Sequence, residues 1–142
     1  MKNKILILAA FALALVACNE ARTPQTPVAA TSLAVEDMSP IEARPGIEQA
    51  GSQFIDVRTA AEYAGEHAKG AQNIPLDTLE ANVSSLKKDQ PVYVICETGR
   101  RSLAAAETLS KDGFTRVINI TGGTRAWADA ELPMAEPAPA NK

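Results

Sequence analysis

Between residues 39 and 133, short apolar runs alternate with amphipathic stretches, a pattern that predicts strands followed by helices. Ser39-Pro40 predicts a helix start, with serine as cap and proline in the first turn. Pro45-Gly46 is expected to interrupt or reshape that helix. Phe54-Ile55-Asp56-Val57 reads as a buried strand, and Thr59 with Glu62 has capping-box spacing that opens a short helix. Asn73-Ile74-Pro75-Leu76 is expected to be extended, because proline disfavours helix at the residue before it. Leu79, Val83 and Leu86 follow at helical spacing. Residues 91–95 form the clearest strand and run straight into Cys96. The alanine-rich stretch from Leu103 to Leu109 predicts a helix that ends near Gly113, and residues 117–120 predict another strand. Gly122-Gly123 turns the chain into a last short helix around Trp127, stopped before Pro133. Strands alternating with helices imply βα crossovers, hence an α/β fold with a mainly parallel central sheet and helices on both faces. Ligands of such folds bind beyond the carboxyl ends of strands, where Cys96 stands.

The pattern changes at both ends. Lys2 and Lys4 precede an uninterrupted apolar run from Ile5 to Ala17, which ends at Cys18. A basic start, a short apolar stretch and a small residue before a cut site describe a secretory signal over residues 1–17. As a helix this run rises only about 20 Å, short of the roughly 30 Å hydrocarbon core, so a transmembrane anchor is the weaker reading. Leu15-Val16-Ala17-Cys18 resembles the lipobox of bacterial lipoproteins, which implies cleavage before Cys18, diacylation of its sulfur and a lipid anchor on the periplasmic face of the envelope. Asn19, where an aspartate would suggest inner-membrane retention, favours the outer membrane. Residues 18–32 read as the lipid-anchored tether, with an end-to-end distance of about 20 Å. Residues 33–134 form the expected folded domain, and residues 135–142, rich in alanine and proline, a disordered tail.

Charge and cysteine count narrow the chemistry. The chain of 142 residues has 14 basic and 17 acidic side chains, and its signal contributes two lysines and no acid. The acidic balance of the remainder argues against a nucleic-acid partner. The chain has two cysteines and one histidine. If Cys18 carries lipid, Cys96 has no partner in the chain and no intramolecular disulfide forms. One histidine and one available cysteine also argue against a structural zinc site, and no Cys-x-x-Cys pair supports a thioredoxin-like oxidoreductase.

The candidate chemistry lies in Ile95-Cys96-Glu97-Thr98-Gly99-Arg100-Arg101-Ser102. A cysteine that follows a strand and precedes a tight glycine turn and a helix is surrounded by backbone N–H groups. The helix N-terminus adds partial positive charge. Both favour a thiolate, and Gly99 lets the chain approach a ligand closely. Arg100 and Arg101 add cationic donors for anions such as sulfur oxyacids or phosphate. A buried, inert cysteine at a strand end is the alternative that these residues disfavour.

Four segments then carry a resemblance. Phe54-Ile55-Asp56-Val57-Arg58 with Glu62-Tyr63, the stretch His67-Ala68-Lys69-Gly70-Ala71-Gln72-Asn73-Ile74-Pro75, the loop from Cys96 to Arg101, and Gly122-Gly123 with Trp127 occur in order. Together they resemble a single-domain rhodanese, a thiosulfate sulfurtransferase-like protein. The resemblance implies that Cys96 attacks the outer sulfur of a thiosulfate-like donor, forms a persulfide and passes that sulfur to a thiol or to cyanide, with no metal or organic cofactor. It makes Cys96 the nucleophile, Glu97, Thr98, Gly99, Arg100 and Arg101 the substrate cradle, and Arg101 the foremost anion contact. A periplasmic protein is a further candidate acceptor. Glu66 departs from the glycine that many members carry before the histidine. Asp56, Arg58, His67, Tyr63 and Trp127 are expected to serve structure, while Glu97 at the loop mouth opposes anionic donors. Two rivals stand beside this reading. One is a non-catalytic sulfur carrier or binding module. The other is a cysteine phosphatase, whose loop would put one residue more between cysteine and arginine than the four that precede Arg101 here.

Overall fold

The computed structural model describes residues 35–135. The expected signal, Cys18, the tether to residue 32 and residues 136–142 of the expected tail lie outside them. In chain order the elements are β1 (Glu36–Met38), α1 (Pro40–Ile47), β2 (Gln53–Asp56), α2 (Ala60–Ala64), β3 (His67–Ala68) and β4 (Gln72–Asn73). These are followed by α3 (Leu79–Asn82), β5 (Val92–Ile95), α4 (Arg100–Lys111), β6 (Val117–Ile120), α5 (Gly123–Asp129) and β7 (Met134–Ala135). Five strands form one parallel sheet in the order β1-β6-β5-β2-β4, and β3 pairs antiparallel with β7.

Strand pleat divides the core. Val92 and Val94 of β5 face one side with Ile55, Val117, Leu79, Ala105, Ala106, Leu109 and Phe114, the layer covered by α3 and α4. Tyr93 and Ile95 face the other side with Phe54, Ile118, Ile120, Ala43 and Trp127, the layer covered by α1 and α5. The central strands β5 and β6 are buried along their whole length, as parallel strands covered on both faces must be.

Both expected caps form. The Ser39 side chain accepts from the Glu42 N–H, the Thr59 side chain accepts from the Glu62 N–H, and each glutamate bonds back to its cap. The helix opened by Ser39 is not broken at Pro45-Gly46 but continues to Ile47. Gly46 is needed there for packing, since a Cβ would overlap the Tyr93 hydroxyl. The predicted helix at Leu79, Val83 and Leu86 is one turn of α-helix followed by a 3-10 turn over Val83–Ser85. Ala135, read from sequence as the first residue of the tail, pairs with His67.

Candidate functional site

Cys96 leaves the buried end of β5, and the chain turns through Gly99 into α4. Gly99 sits at φ 92° as the residue before the helix, a left-handed conformation that costs glycine little. This geometry folds the loop back over its own cysteine. The Gly99 N–H donates to Cys96 Sγ at 3.2 Å, and Ser102 Oγ, one turn into α4, lies 3.4 Å from the same sulfur. Cys96 is only 1% exposed. Burial pushes its thiol upward, but the Ser102 hydroxyl and the N–H groups of Ser102, Thr98 and Gly99 outweigh that effect, and the net direction is below the ordinary thiol value.

A second helix start holds the loop from beneath. The Thr124 N–H donates to the Cys96 carbonyl at 2.7 Å, and the Arg125 N–H donates to the Glu97 carbonyl at 3.3 Å. Gly123 makes this approach achievable: a Cβ there would overlap the Cys96 and Glu97 carbonyls, and its φ of 60° is left-handed. The Gly122-Gly123 pair, read from sequence as a turn, is therefore also the floor of the cysteine loop.

The charged side chains around the mouth are largely matched. Arg101 makes two hydrogen bonds to Glu62, at 2.6 and 2.8 Å, and lies 3.9 Å from Glu97. Glu62 is held well below the usual carboxylate range, first by its bond from Arg101 and then by its bonds from Thr59, while Glu62 raises Arg101 in turn. Glu97 also accepts from Arg125 at 2.5 Å. Arg101, the expected anion contact, thus already has a carboxylate partner. Arg100 is exposed and, among the described residues, forms no ion pair. Thr98 is exposed, Glu97 half-buried and Gly99 buried. A cleft of about 410 Å³ is lined by Leu76, Glu97, Thr98, Arg100, Arg101 and Ala104, so four of the five predicted cradle residues line one surface, while Gly99 and Cys96 are not part of its lining. The larger hollow of about 560 Å³, between Leu79, Val83 and Asp112, lies at the other end of α4 and lacks the cysteine loop.

The residues expected to serve structure are tied to their neighbours by hydrogen bonds or ring contacts. Asp56, fully buried, accepts from the Arg58 backbone and guanidinium at 2.8–3.1 Å, and Asn73 Nδ2 donates to the carbonyls of both. His67 Nδ1 lies 2.8 Å from the Tyr63 carbonyl, and its ring stacks on that of Tyr63. Trp127 is in the core, and its Nε1–H donates to the Pro133 carbonyl at 3.0 Å. Among the described residues no cluster of three or more His, Cys, Asp or Glu side chains is placed to hold a metal ion. Sequence reasoning placed Ser102 in the decisive segment without a role at the sulfur, missed Asn119 and Arg125 as neighbours of the loop, and treated Glu62 as a cap without its second role on Arg101. The inward helical face of α4 and the alternation of β6 were the available signals for Ser102 and Asn119.

Known proteins resemble this chain in sequence and in fold. The chain is 36% identical over 84 residues to a protein of Allochromatium vinosum named Sulfurtransferase, which covers 59% of this chain and 78% of that one. It is 42% identical over 74 residues to a Bacillus subtilis protein named Putative sulfur carrier protein YrkF, covering 52% of this chain and 40% of that longer one. The crystal structure of a rhodanese-related protein from Thermoplasma volcanium superposes with a TM-score of 0.64 at 28% identity, over 70% of this chain and 97% of that one. The profile of the Rhodanese-like domain matches residues 39–130, and with relatives named for sulfur transfer on either side, the chain belongs to the rhodanese-like family.

Proposed function

We propose that the protein is a sulfurtransferase in which the Cys96 thiolate attacks the outer sulfur of thiosulfate or a similar sulfane donor. The Sγ–S bond forms as the S–S bond of the donor breaks, and sulfite leaves with the bonding pair. A thiolate or cyanide then attacks the outer sulfur of the persulfide, takes it as a new persulfide or as thiocyanate, and returns Cys96 as the thiolate. Charge balances in both steps, and neither needs a metal or organic cofactor. The observation that carries the reading is the ring of donors at Sγ from Gly99, Thr98 and Ser102, which stabilises a thiolate without a general base. Thr98, Gly99 and their neighbours Glu97, Arg100 and Arg101 would cradle the transferred sulfur and its donor, with Arg100 the cation open to an anion.

A second reading, a sulfur carrier loaded by another enzyme, is favoured by the pairing of Arg101 with Glu62 and by the likeness to a relative named as a putative carrier. Intact mass of the full chain after thiosulfate exposure tests both. Gain of one sulfur atom, reversed by cyanide and absent in Cys96→Ser, supports the enzyme. An unchanged mass with thiosulfate, but a gain from a persulfidated protein, supports the carrier. The lipobox-like Leu15-Val16-Ala17-Cys18 extends the proposal to a lipid-anchored protein on the periplasmic face, outer membrane favoured. Acylated Cys18 in the membrane fraction, lost in Cys18→Ala, is the expected result.

A further inference from the structure

Beneath the sulfur, a line of side chains reaches from the cysteine to the sheet edge. Strand alternation puts Asn119 of β6 on the same face as Val117, toward α4, and its register partners are Asp37 on β1 and Val94 on β5. Asn119 and Ser102 are buried, at 3% and 0% exposure. Asn119 Nδ2 donates to Asp37 Oδ1 at 2.8 Å, and Ser102 Oγ donates to Asn119 Oδ1 at 2.6 Å.

These contacts assign every hydrogen. A carboxylate only accepts, so the nitrogen of the Asn119 amide must face Asp37 and its oxygen must face Ser102. That oxygen has no hydrogen, so Ser102 must supply the one it owns. The hydroxyl then presents lone pairs to Cys96 Sγ, 3.4 Å away. A thiol satisfies this arrangement by donating S–H to Ser102 Oγ. A thiolate can recruit the Ser102 hydrogen only by taking it from Asn119, which leaves a buried amide oxygen without a donor.

We propose that Asp37 and Asn119 are positioning residues that hold the Ser102 hydroxyl hydrogen away from Cys96, so that Ser102 supports the charged sulfur less than an uncommitted hydroxyl would and the backbone donors supply the rest. The inference rests on Cys96 being the sulfur-bearing group, and its test needs no sulfur donor. The other charged groups around Cys96 are Arg101 with Glu62 on α4 and α2, Glu97 with Arg125 on the loop and α5, and Asp56 with Arg58 at the end of β2. None of them is altered by the variants below.

The experiment is the pH dependence of iodoacetamide labelling of Cys96, read by mass on its own peptide in the full-length protein. Asn119→Leu removes the competing acceptor at similar volume, and Asp37→Ala frees the amide to turn its nitrogen toward Ser102. Both are expected to move the half-labelling pH downward by about one unit, a tenfold gain in thiolate below the midpoint. Asp37→Asn, which keeps an acceptor oxygen at the sheet edge, should restore the wild-type midpoint. The downward shift should vanish when Asn119→Leu is combined with Ser102→Ala. An unchanged or raised midpoint in both Asn119→Leu and Asp37→Ala overturns the proposal, as does a shift that persists without Ser102. Asp37 is exposed, so its variants keep the test open if Asn119→Leu does not fold.

Discussion

Arg101 lays two guanidinium nitrogens on the two carboxylate oxygens of Glu62, at 2.8 and 2.6 Å, tying the start of α4 to the start of α2. The cation next to the cysteine loop is therefore shared between an internal partner and any anionic donor. Glu62→Gln keeps an oxygen and a similar shape while removing the charge that competes for Arg101. We expect kcat/KM for thiosulfate to rise by about two- to fivefold, the scale of a part-exposed ion pair. Arg101→Ala should lower loading from thiosulfate more than transfer from an already loaded Cys96. A fall in kcat/KM for Glu62→Gln would mean instead that Glu62 holds Arg101 in the place where it serves the donor.

The Asp56–Arg58 pair makes a different prediction because it is buried. Asp56 is fully enclosed and Arg58 is 7% exposed, and the guanidinium also donates to the Glu66 carbonyl at 3.0 Å. Removing one partner strands a charge where water does not reach. Asp56→Ala should cost about 3–5 kcal/mol, read from the urea midpoint of the full chain. A loss below about 1 kcal/mol would show that solvent replaces Asp56 and that the pair does not anchor the end of β2.

What was legible in the sequence follows from how local each signal is. Strand β5 is a continuous apolar run, β6 is interrupted only by Asn119, and the caps at Ser39 and Thr59 sit within one turn of their partners, so each is visible in a short window. Strand β1 was not, because Glu36-Asp37-Met38 carries two charges and pairs only with β6 at the sheet edge. The β3–β7 pairing joins two-residue strands that propensity does not distinguish from loop. Cys96 was legible from its neighbours in the chain. The partner of Arg101 was not, since Glu62 lies 39 residues away and its capping role already accounted for its identity. Pro45-Gly46 misled for the same reason: Gly46 answers to Tyr93, across the fold, rather than to its own helix.

Two glycines with positive φ separate backbone strain from loop support. Gly70 has φ 91° and open space where a Cβ would go, so Gly70→Ala should cost about 1 kcal/mol from conformation alone and leave sulfur transfer intact. Gly123 has φ 60° and would drive its Cβ into the Cys96 and Glu97 carbonyls. Gly123→Ala should therefore lower transfer by at least about tenfold while costing about 2 kcal/mol or more in stability. Equal activity in the two variants would remove Gly123 from the support of the loop.

Acid should weaken the same frame through Glu62. Its carboxyl is depressed first by the bond from Arg101 and then by the side-chain and backbone bonds from Thr59. The unfolded chain, with an ordinary glutamate near about 4.3, binds the proton more readily than the folded one. Stability from this group is therefore fully present above that value and is lost as pH falls toward the depressed folded one. The urea midpoint should decline below about pH 4.3, and Glu62→Gln should decline less steeply over that window because it has no proton to take up. Parallel slopes for the two proteins would assign acid sensitivity to other carboxylates and leave the Arg101–Glu62 tie without a share in it.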